Sequence, residues 1–286
     1  MNKPIVIALL LAAGLTAAAQ PTGFLNRSEL TLGSGAMWYI GDLNNQSAID
    51  MPQWGASFGL RSRLDNRWAL RLDATYGHLQ RDKDYLARRN LSFRTAITEA
   101  AALVEFNFRP FGPGATESPW TPYIFGGLAI FHFNPQAQYT DPEGKLLWAD
   151  LQPLRTEGQG TVDYPDRRPY PLTQLCLPFG VGVKWRINKS FSLTAEYGFR
   201  KTWTDYLDDV STTYVGSALL LAEVENGELA AALADRSTEV EAGYVNAVGI
   251  KRGDDSLDDW YSYLRISIGI NMETLFGWMR SKRCKL

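Results

Sequence analysis

Hydrophobic residues alternate with polar or small residues over most of this chain. In residues 175–187 every odd position is apolar, and the even positions carry cysteine, proline, glycine, lysine and arginine. Residues 188–190 separate this stretch from a second alternation over 191–200. A period of two places successive side chains on opposite faces of a strand. The pattern therefore predicts a β-hairpin with one apolar face.

The same alternation recurs in five other segments, residues 29–38, 54–64, 68–77, 99–108 and 260–272. Residues 123–133 form a sixth strand-like segment. Together with the hairpin they predict about eight strands of roughly ten residues. Residues 123–133 are apolar on both faces, so their register is uncertain. Parity along the chain nevertheless places His78 on the apolar outer face and His132 on the opposite face.

The second face of these predicted strands combines glycines with charges of both signs. The charged positions are Glu29, Arg61, Arg63, Arg71, Asp73, Glu99, Glu105, Lys184, Arg186, Glu196, Arg200 and Arg265. In a soluble β-sandwich the apolar faces of the strands would be buried and the other faces would be exposed to water. Mixed charges on strands with small residues are typical of the interior of a narrow closed barrel, in which ion pairs fill the lumen.

We therefore expect an all-β fold, a transmembrane antiparallel up-and-down β-barrel of eight strands with long extracellular loops. Its opposite face would meet outer-membrane lipids. A soluble β-sandwich or a lipocalin-like barrel is the alternative. The expected lumen charge network consists of Arg61, Arg71, Asp73, Glu99, Glu105, Lys184, Glu196, Arg200 and Arg265. Within it, Arg200 is expected to pair with Glu196 or another acid.

Aromatic residues at the strand ends and the lengths of the connections orient the predicted barrel. One group of aromatics is Trp38, Tyr76, Phe131, Phe133, Phe199 and Trp260, and the other is Trp68, Phe106, Phe108, Trp120, Tyr123, Trp185 and Phe191. Such groups are typical of two interfacial girdles. Short turns usually face the periplasm. We therefore expect both termini to be periplasmic and residues 41–53, 80–92, 134–173 and 201–258 to face outside.

The longest predicted outer loop has two possible structures. Residues 217–235 are rich in alanine, leucine and glutamate, and Asn226 and Gly227 interrupt them. This predicts a short helical hairpin over the barrel mouth. The alternative is an extended stretch over residues 238–250 that pairs with another loop and raises the strand count to ten.

Composition narrows the class of protein further. The chain is 45% hydrophobic and 21% charged, which excludes a disordered protein. No apolar run near 18 residues follows the first 20, which excludes a bundle of membrane-spanning helices. A net charge of −2 argues against nucleic acid as a partner. Lys3, an apolar stretch and three alanines predict a secretory signal peptide over residues 1–19. The barrel is then expected over residues 20–272, with a short basic periplasmic tail over 273–286.

Residues that could carry chemistry are sparse. The histidines are His78 and His132, and the cysteines are Cys176 and Cys284. The sequence contains neither a glycine-rich phosphate loop before a helix nor a metal-spaced Cys/His set. We therefore expect no enzyme, no catalytic residue and no cofactor, with an outer-membrane lipase or protease as a minor alternative. Acidic groups in 205–209 and 254–259 could bind Ca²⁺, but solvated loop charge is the favoured interpretation.

Several segments carry a resemblance to a known family. Residues 39–44 read YIGDLN, 89–94 read RNLSFR, 151–160 read LQPLRTEGQG and 197–214 read YGFRKTWTDYLDDVSTTY. They resemble the PorG family of the type IX secretion system. The resemblance implies a non-enzymatic outer-membrane component of the Bacteroidetes translocon and gliding machinery. It also implies association with the periplasmic ring of a PorK-like lipoprotein and its PorN-like partner subunit.

A generic small outer-membrane scaffold or adhesin barrel is the alternative function, and a paralogue with another partner is also compatible. If the chain does anchor a ring, the Pro/Gly-rich turn over 109–121 and the tail after 272 are the segments able to bury roughly 800 Å² per partner. Phe111, Trp278 and Arg280 are the expected aromatic and arginine contacts.

Overall fold

The structure is a computed structural model that describes residues 23, 27–44, 51–82, 84, 86–112 and 118–283, with side chains described as far as residue 277. The predicted signal peptide over 1–19 and Cys284 lie outside the described residues. The side chains of Trp278 and Arg280 do so as well.

Eight long antiparallel strands among the described residues close into a barrel, which confirms the predicted fold class. They are β1 (Ser28–Ile40), β2 (Gln53–Arg63), β3 (Trp68–Arg81), β4 (Phe93–Asn107), β5 (Trp120–His132), β8 (Thr173–Arg186), β9 (Phe191–Thr202) and β10 (Trp260–Asn271). Strands β1 and β10 pair with each other, and the pairing of β3 with β4 completes the ring. Full closure leaves no free edge within the barrel itself.

Two additional strands form a hairpin beyond the barrel. Strand β6 (Pro135–Thr140) pairs with the start of β4, and β7 (Leu146–Asp150) pairs with β6. The sheet therefore has ten strands in the described residues, although the barrel has eight. The alternative that residues 238–250 form an extra strand is wrong. That segment consists of turns after a short 3-10 helix over Ser237–Glu239.

The two ends of the barrel differ in their connections. At the end that we call the turn end, short turns join β2 to β3 and β8 to β9, β1 begins and β10 ends. At the opposite end, the loop end, long segments join β1 to β2, β3 to β4, β5 to β8 and β9 to β10.

The outer surface of the barrel is apolar, as the period of two predicts. Leu32 on β1 lies opposite Phe58 on β2, and Leu72 on β3 lies opposite Leu60. Leu32, Phe58 and Leu72 are all about half exposed. Because alternate residues point outwards, each strand adds a row of aliphatic or aromatic side chains to this surface.

Strand β5 departs from the predicted parity. His132 is exposed, with Nδ1 3.0 Å from the Thr173 hydroxyl, whereas Tyr123, Phe131 and Phe133 are buried inside. The interior placement of His132 and the girdle placement of these three aromatics are therefore wrong. The error arises because both faces of β5 are apolar, so the alternation carries no information about direction.

Glycines on β8 and β9 make room for the inward rings of β5. A Cβ added to Gly182 would lie about 2.5 Å from the Tyr123 ring, and a Cβ added to Gly198 would lie 2.7 Å from the Phe125 ring. Close packing of the interior therefore requires glycine at both positions.

Helices lie at both ends of the barrel. Helices α1 (Ser217–Glu223) and α2 (Gly227–Ala234) form the predicted helical hairpin and pack on a second hydrophobic core with Leu151 and Leu154. Helix α3 (Met272–Arg283) directly follows β10, so the expected tail begins as a helix. Its first turn is capped by Asn271, whose Oδ1 accepts the Glu273 N–H at 2.9 Å. In the described part of the chain, no helix combines the length and apolar character needed to cross a bilayer.

Candidate functional site

The lower half of the barrel interior, towards the turn end, holds a group of ion-paired side chains that we call the lumen network. Its members are Glu29, Arg61, Arg71, Asp73, Glu105, Lys184, Glu196 and Arg265. Four carboxylates face four cations, so the network is neutral as a unit. All of its members except Glu29 are buried.

Arg71 on β3 lies at the centre of the lumen network. Its Nη1 is 2.7 Å from Glu105 Oε1 and 2.7 Å from Glu196 Oε2, and its Nε is 3.0 Å from Asp73 Oδ2. The contact through Nε is an ion pair without hydrogen-bond geometry. One guanidinium therefore joins carboxylates from three strands, because five donors in a rigid plane can reach several acceptors at once.

The carboxylates of the network are shared in turn. Glu105 also contacts Lys184 Nζ at 2.5 Å and Arg61 Nε at 2.8 Å. Arg265 bridges Asp73 at 3.0 Å and Glu196 at 2.6 Å. Because each buried carboxylate meets at least two cations, removal of any one partner leaves an uncompensated charge in a confined space.

A second ion pair lies closer to the loop end. Arg200 Nε is 3.2 Å from Glu99 Oε2, and the Tyr261 hydroxyl donates to the same oxygen at 2.6 Å. Of the two possibilities expected for Arg200, Glu196 or another acid, the structure shows the second, because Arg200 pairs with Glu99. Glu196 pairs with Arg71 and Arg265 instead. Cys176 is buried beside this pair, with Sγ 3.8 Å from the Tyr261 oxygen.

The structure therefore brings all nine residues of the expected lumen charge network into the barrel interior. Arg63 and Arg186, which face the same side of their strands, lie partly exposed at the turn end. There, Arg186 Nη1 donates to the main-chain carbonyl of Gly112. The positions follow from strand parity, but the specific pairs do not, because they depend on the stagger between strands that are distant in sequence.

The segments that connect β1 to β2, β3 to β4, β5 to β8 and β9 to β10 fold together at the loop end. We call the buried unit that they form the cap. At its centre is Glu157, which is fully buried. Its carboxylate accepts the main-chain N–H groups of Ser211 and Thr212, each at 2.9 Å, and the Thr212 hydroxyl at 2.7 Å. It also accepts Nη1 of the buried Arg252 at 2.9 Å.

Asp209 forms a second buried anchor in the cap. It accepts the Thr156 hydroxyl at 2.5 Å and the Tyr170 hydroxyl at 2.6 Å, and its main-chain carbonyl accepts Arg252 Nη1 at 2.5 Å. Burial raises the pKa of Asp209 to about 6, against the opposing effect of Arg252. Its φ of 67° lies in the left-handed region, which aspartate tolerates better than most residues.

A cluster of acids lies where the cap meets the barrel wall. The Tyr39 hydroxyl is 2.5 Å from Asp208 Oδ2 and 3.1 Å from Asp259 Oδ1. Burial raises the pKa of Asp205 to about 9, and burial, with the neighbouring carboxylates, also raises the pKa of Asp208 and Asp259. These acids therefore favour their protonated forms.

The favoured interpretation of these acids as solvated loop charge is wrong for Asp205, Asp208, Asp209 and Asp259, all of which are buried. Exposed acids in the other group include Asp255 and Asp258. Within the described ranges, no group of three or more histidines, cysteines or acids is arranged to hold a metal ion.

Arg89 ties a third loop to the cap. Its Nη2 donates to the Asp42 carbonyl at 2.7 Å, its Nη1 donates to the Arg252 carbonyl at 2.5 Å, and it is ion-paired with Asp84. The Asp42 carboxylate in turn accepts the Asp254 N–H at 2.6 Å. Loops from four regions of the chain are thus linked by buried polar contacts.

The four segments that carry the resemblance meet in this one place. Residues 39–44 contribute Tyr39 and Asp42, 89–94 contribute Arg89, 151–160 contribute Glu157, and 197–214 contribute the acceptors and donors around Asp209. Sequence reasoning marked the segments but missed their assembly. No local pattern could reveal it, because partners such as Glu157 and Arg252 are 95 residues apart.

The turn end contains Phe111, one of the three residues expected to contact a periplasmic partner. Phe111 lies in the wall of a small basic cleft lined also by Arg63, Lys184, Arg186 and Lys189. Its side chain is only 6% exposed, and its N–H donates to a carbonyl of the β2–β3 turn at 2.8 Å. Phe111 therefore shapes this cleft and offers little area of its own to a partner.

Comparison with known proteins identifies the class of barrel. The sequence pattern of the family described as outer membrane protein beta-barrel domain matches residues 7–219. No curated protein sequence matches significantly.

Solved structures similar to this chain include Neisserial surface protein A, at 13% identity over 85% of this chain and 96% of that one, with a TM-score of 0.38. They also include the attachment invasion locus protein Ail of Yersinia pestis, at 9% identity over 85% and 96% with a TM-score of 0.38. The N-terminal β-barrel domain of Pseudomonas aeruginosa OprF is 11% identical over 86% and 98%, with a TM-score of 0.33.

Proposed function

We propose that this chain, which belongs to the family of outer membrane protein beta-barrel domains, is a PorG-like, non-catalytic component of the type IX protein secretion machinery. In this role it anchors or contacts the periplasmic ring from the outer membrane. Its partners are a PorK-like lipoprotein and its PorN-like subunit, and its outer surface meets membrane lipid.

One observation carries this proposal. The segments that resemble the PorG family, residues 39–44, 89–94, 151–160 and 197–214, are far apart in sequence, yet their side chains form one hydrogen-bonded cap. All four segments lie in or next to connections at the same end of the barrel, so their proximity alone is expected. The direct polar contacts between them, such as Arg89 to the Asp42 carbonyl and Glu157 to the Ser211 N–H, support the proposal that the resemblance extends to a shared cap.

The filled interior supports a structural role. An eight-stranded barrel encloses just enough space for its own side chains, and here the lumen network and the aromatic rings of β5 occupy that space. A side chain such as Arg71, which is held by several carboxylates, has little freedom to move aside for a solute.

The proposed orientation places the turn end in the periplasm, because short turns face that side in outer-membrane barrels. The mature protein then consists of the barrel over 20–272 and a tail over 273–286, after removal of the signal peptide over 1–19. The tail and the turn over 109–121 offer the ring contact. Phe111, Trp278 and Arg280 remain the proposed contact residues, with Phe111 acting through the shape of the basic cleft.

The first test is genetic. Deletion of the gene in its host should abolish secretion of proteins that depend on the type IX system, and expression of the wild-type chain should restore it. If the deletion strain secretes these proteins normally, the chain is not a component of that machinery. A generic scaffold or adhesin role would then be the better explanation.

The second test locates the ring contact. We would delete 274–286 and, separately, replace Phe111 and Trp278 with alanine, then measure co-purification of periplasmic ring lipoprotein. The matched control is Val162→Ala, which alters an apolar side chain that is 80% exposed at the loop end. Barrel assembly is checked by heat-modifiable gel mobility. Partner loss in the turn-end variants alone supports the proposal, whereas full retention in every variant contradicts the periplasmic contact.

A further inference from the structure

The loop end carries a second feature that the proposed function does not use. A cleft of about 730 Å³ lies between the β6–β7 hairpin and α2. Its apolar lining includes Tyr139, Leu146, Trp148 and Leu229. Cross-strand pairing of Leu146 with Thr140, and of Trp148 with Gln138, places Leu146 and Trp148 on one face of the hairpin, whereas Tyr139 lies on the other. Residues from both faces of the hairpin therefore line the cleft.

Strand β7 is the edge of the ten-stranded sheet. In the described part of the chain it pairs only with β6, and Leu146 at its start is 61% exposed. An edge strand presents main-chain N–H and C=O groups that can pair with another strand. Proteins commonly block such edges with proline, a bulge or inward-pointing charge, but β7 reads LLWAD and contains no proline.

The Trp148 side chain is held in place beside this edge. The guanidinium of Arg94 lies over its ring, 3.6 Å from the ring centroid. Arg94 also donates through Nε to Gln136 at 3.1 Å. A fixed aromatic side chain loses little conformational entropy when a ligand packs against it, and this favours binding.

The charge of the cleft indicates what kind of strand would fit. Four carboxylates, those of Asp82, Asp141, Glu228 and Glu239, and one guanidinium, that of Arg236, line it, so its net charge is −3. Arg236 is itself bound to Glu239 at 2.9 Å. A second copy of this chain would bring the same acids against each other, and like charges disfavour that pairing. A basic strand has the complementary charge.

We propose that the β7 edge and this cleft bind an extended, basic segment of another polypeptide by strand addition. The main chain of the segment pairs with β7, and alternate side chains enter the cleft, with aliphatic groups on Leu146 and Trp148 and basic groups on the carboxylates. The proposal goes beyond the ring-anchoring role and does not depend on it, because it concerns the opposite end of the barrel.

The test uses the full-length barrel in detergent and a labelled seven-residue peptide, Lys-Thr-Val-Thr-Lys-Thr-Val, which places lysine and valine together on one face of an extended strand. Fluorescence anisotropy should show saturable binding, which added salt weakens because the charges are screened. A peptide with glutamate in place of lysine should not bind. A lysine–valine peptide N-methylated at alternate amides should also fail, because it cannot form the ladder of main-chain hydrogen bonds.

Variants of the chain test the cleft. Asp82→Asn combined with Glu228→Gln removes two exposed carboxylates from the lining and should weaken binding roughly tenfold at low ionic strength. The matched control is Glu225→Gln, an exposed acid that does not line the cleft. Both proteins should show the same heat-modifiable mobility. Equal affinity of the two variants for the peptide would overturn the proposed charge recognition.

Hydrogen exchange tests the strand addition itself. Amides of residues 146–150 should become protected when the lysine–valine peptide binds, while amides of the turn over 188–190 should not change. Binding of the N-methylated peptide with equal affinity overturns strand addition. So does protection of 146–150 that depends on protein concentration in the absence of peptide, because that result assigns the edge to self-association. Binding of a neutral oligosaccharide, with no binding of the peptide, assigns the cleft to carbohydrate and likewise overturns the proposal.

Discussion

Substitution of Glu157 should open the cap while the barrel remains assembled. Glu157→Ala deprives the buried Arg252 of its partner at 2.9 Å and leaves only the more distant Asp209 carboxylate at 3.8 Å. It also removes the acceptor for the Ser211 and Thr212 N–H groups. The substitution therefore breaks one buried ion pair and two hydrogen bonds from main-chain amides.

The magnitude follows from these interactions. Breaking a buried ion pair by removing one partner costs roughly 3–5 kcal/mol, and an unsatisfied buried N–H costs roughly 1–3 kcal/mol. Water that enters the vacated space offsets part of this sum. We therefore expect the free energy of cap opening to fall by about 4 kcal/mol, a factor of about 1,000 in the opening equilibrium. Glu157→Gln keeps an acceptor and should cost about half as much.

Hydrogen exchange measured by mass spectrometry on the folded barrel in detergent provides the assay. Amides of residues 207–214 should exchange about 1,000-fold faster in Glu157→Ala, because exchange follows the opening equilibrium. Glu225→Ala, which alters an exposed acid outside the cap contacts, is the control. If these amides exchange within about threefold of the wild-type rate while the barrel is assembled, Glu157 does not hold the cap.

Other predictions concern the lumen and the effect of pH. Arg200→Ala leaves the buried Glu99 without its cation and should destabilise the barrel by about 3 kcal/mol. Lys201→Ala breaks a partly exposed ion pair and should cost under about 1 kcal/mol. Thermal unfolding of the two variants measures the difference. Cap stability should fall as pH rises from about 5 to 9, because Asp205 has a pKa raised to about 9 and the folded cap holds its proton more tightly than the unfolded chain. Limited proteolysis should detect this trend, and Asp205→Asn should weaken it, while Asp208, Asp209 and Asp259 sustain the remainder. Planar-bilayer recordings should show no large, stable conductance, since side chains fill the interior.

The barrel could be predicted from sequence because glycines and charged residues on one face of most strands identify that face as the interior. On β8 and β9 glycine, lysine and arginine mark the interior, and the parity of Lys184, Glu196 and Arg200 follows directly. Strand β5 is apolar on both faces, so the predicted direction of its side chains is wrong. The inward direction of Tyr123 and Phe125 is accommodated by glycines in strands that are 50 or more residues away in sequence, and the parity of β5 then places Phe131 inside and His132 outside.

The cap was not accessible in the same way. Its acids look like solvated loop charge in sequence, since nothing near Asp208 or Asp209 indicates burial. Burial follows from contacts such as Tyr39 to Asp208, across 169 residues, and Glu157 to Arg252, across 95. Periodicity describes residues that are close in sequence, so it gives no information about contacts across such long separations. The hairpin β6–β7 was missed for a similar reason, because residues 135–150 lie in a region interpreted as a loop.

The cap and the lumen are joined through one rung of the barrel wall. Tyr39 on β1 lies directly opposite Tyr261 on β10, and both side chains are buried. The Tyr261 hydroxyl binds Glu99, the partner of Arg200 in the lumen, whereas the Tyr39 hydroxyl binds Asp208 in the cap. The same pair of residues therefore supports two polar networks of different character. Below the rung the carboxylates pair with cations, and above it burial and neighbouring carboxylates raise the pKa values of Asp208 and Asp259. These two acids are therefore the part of the structure next to the rung at which the cap responds to the pH around the loop end.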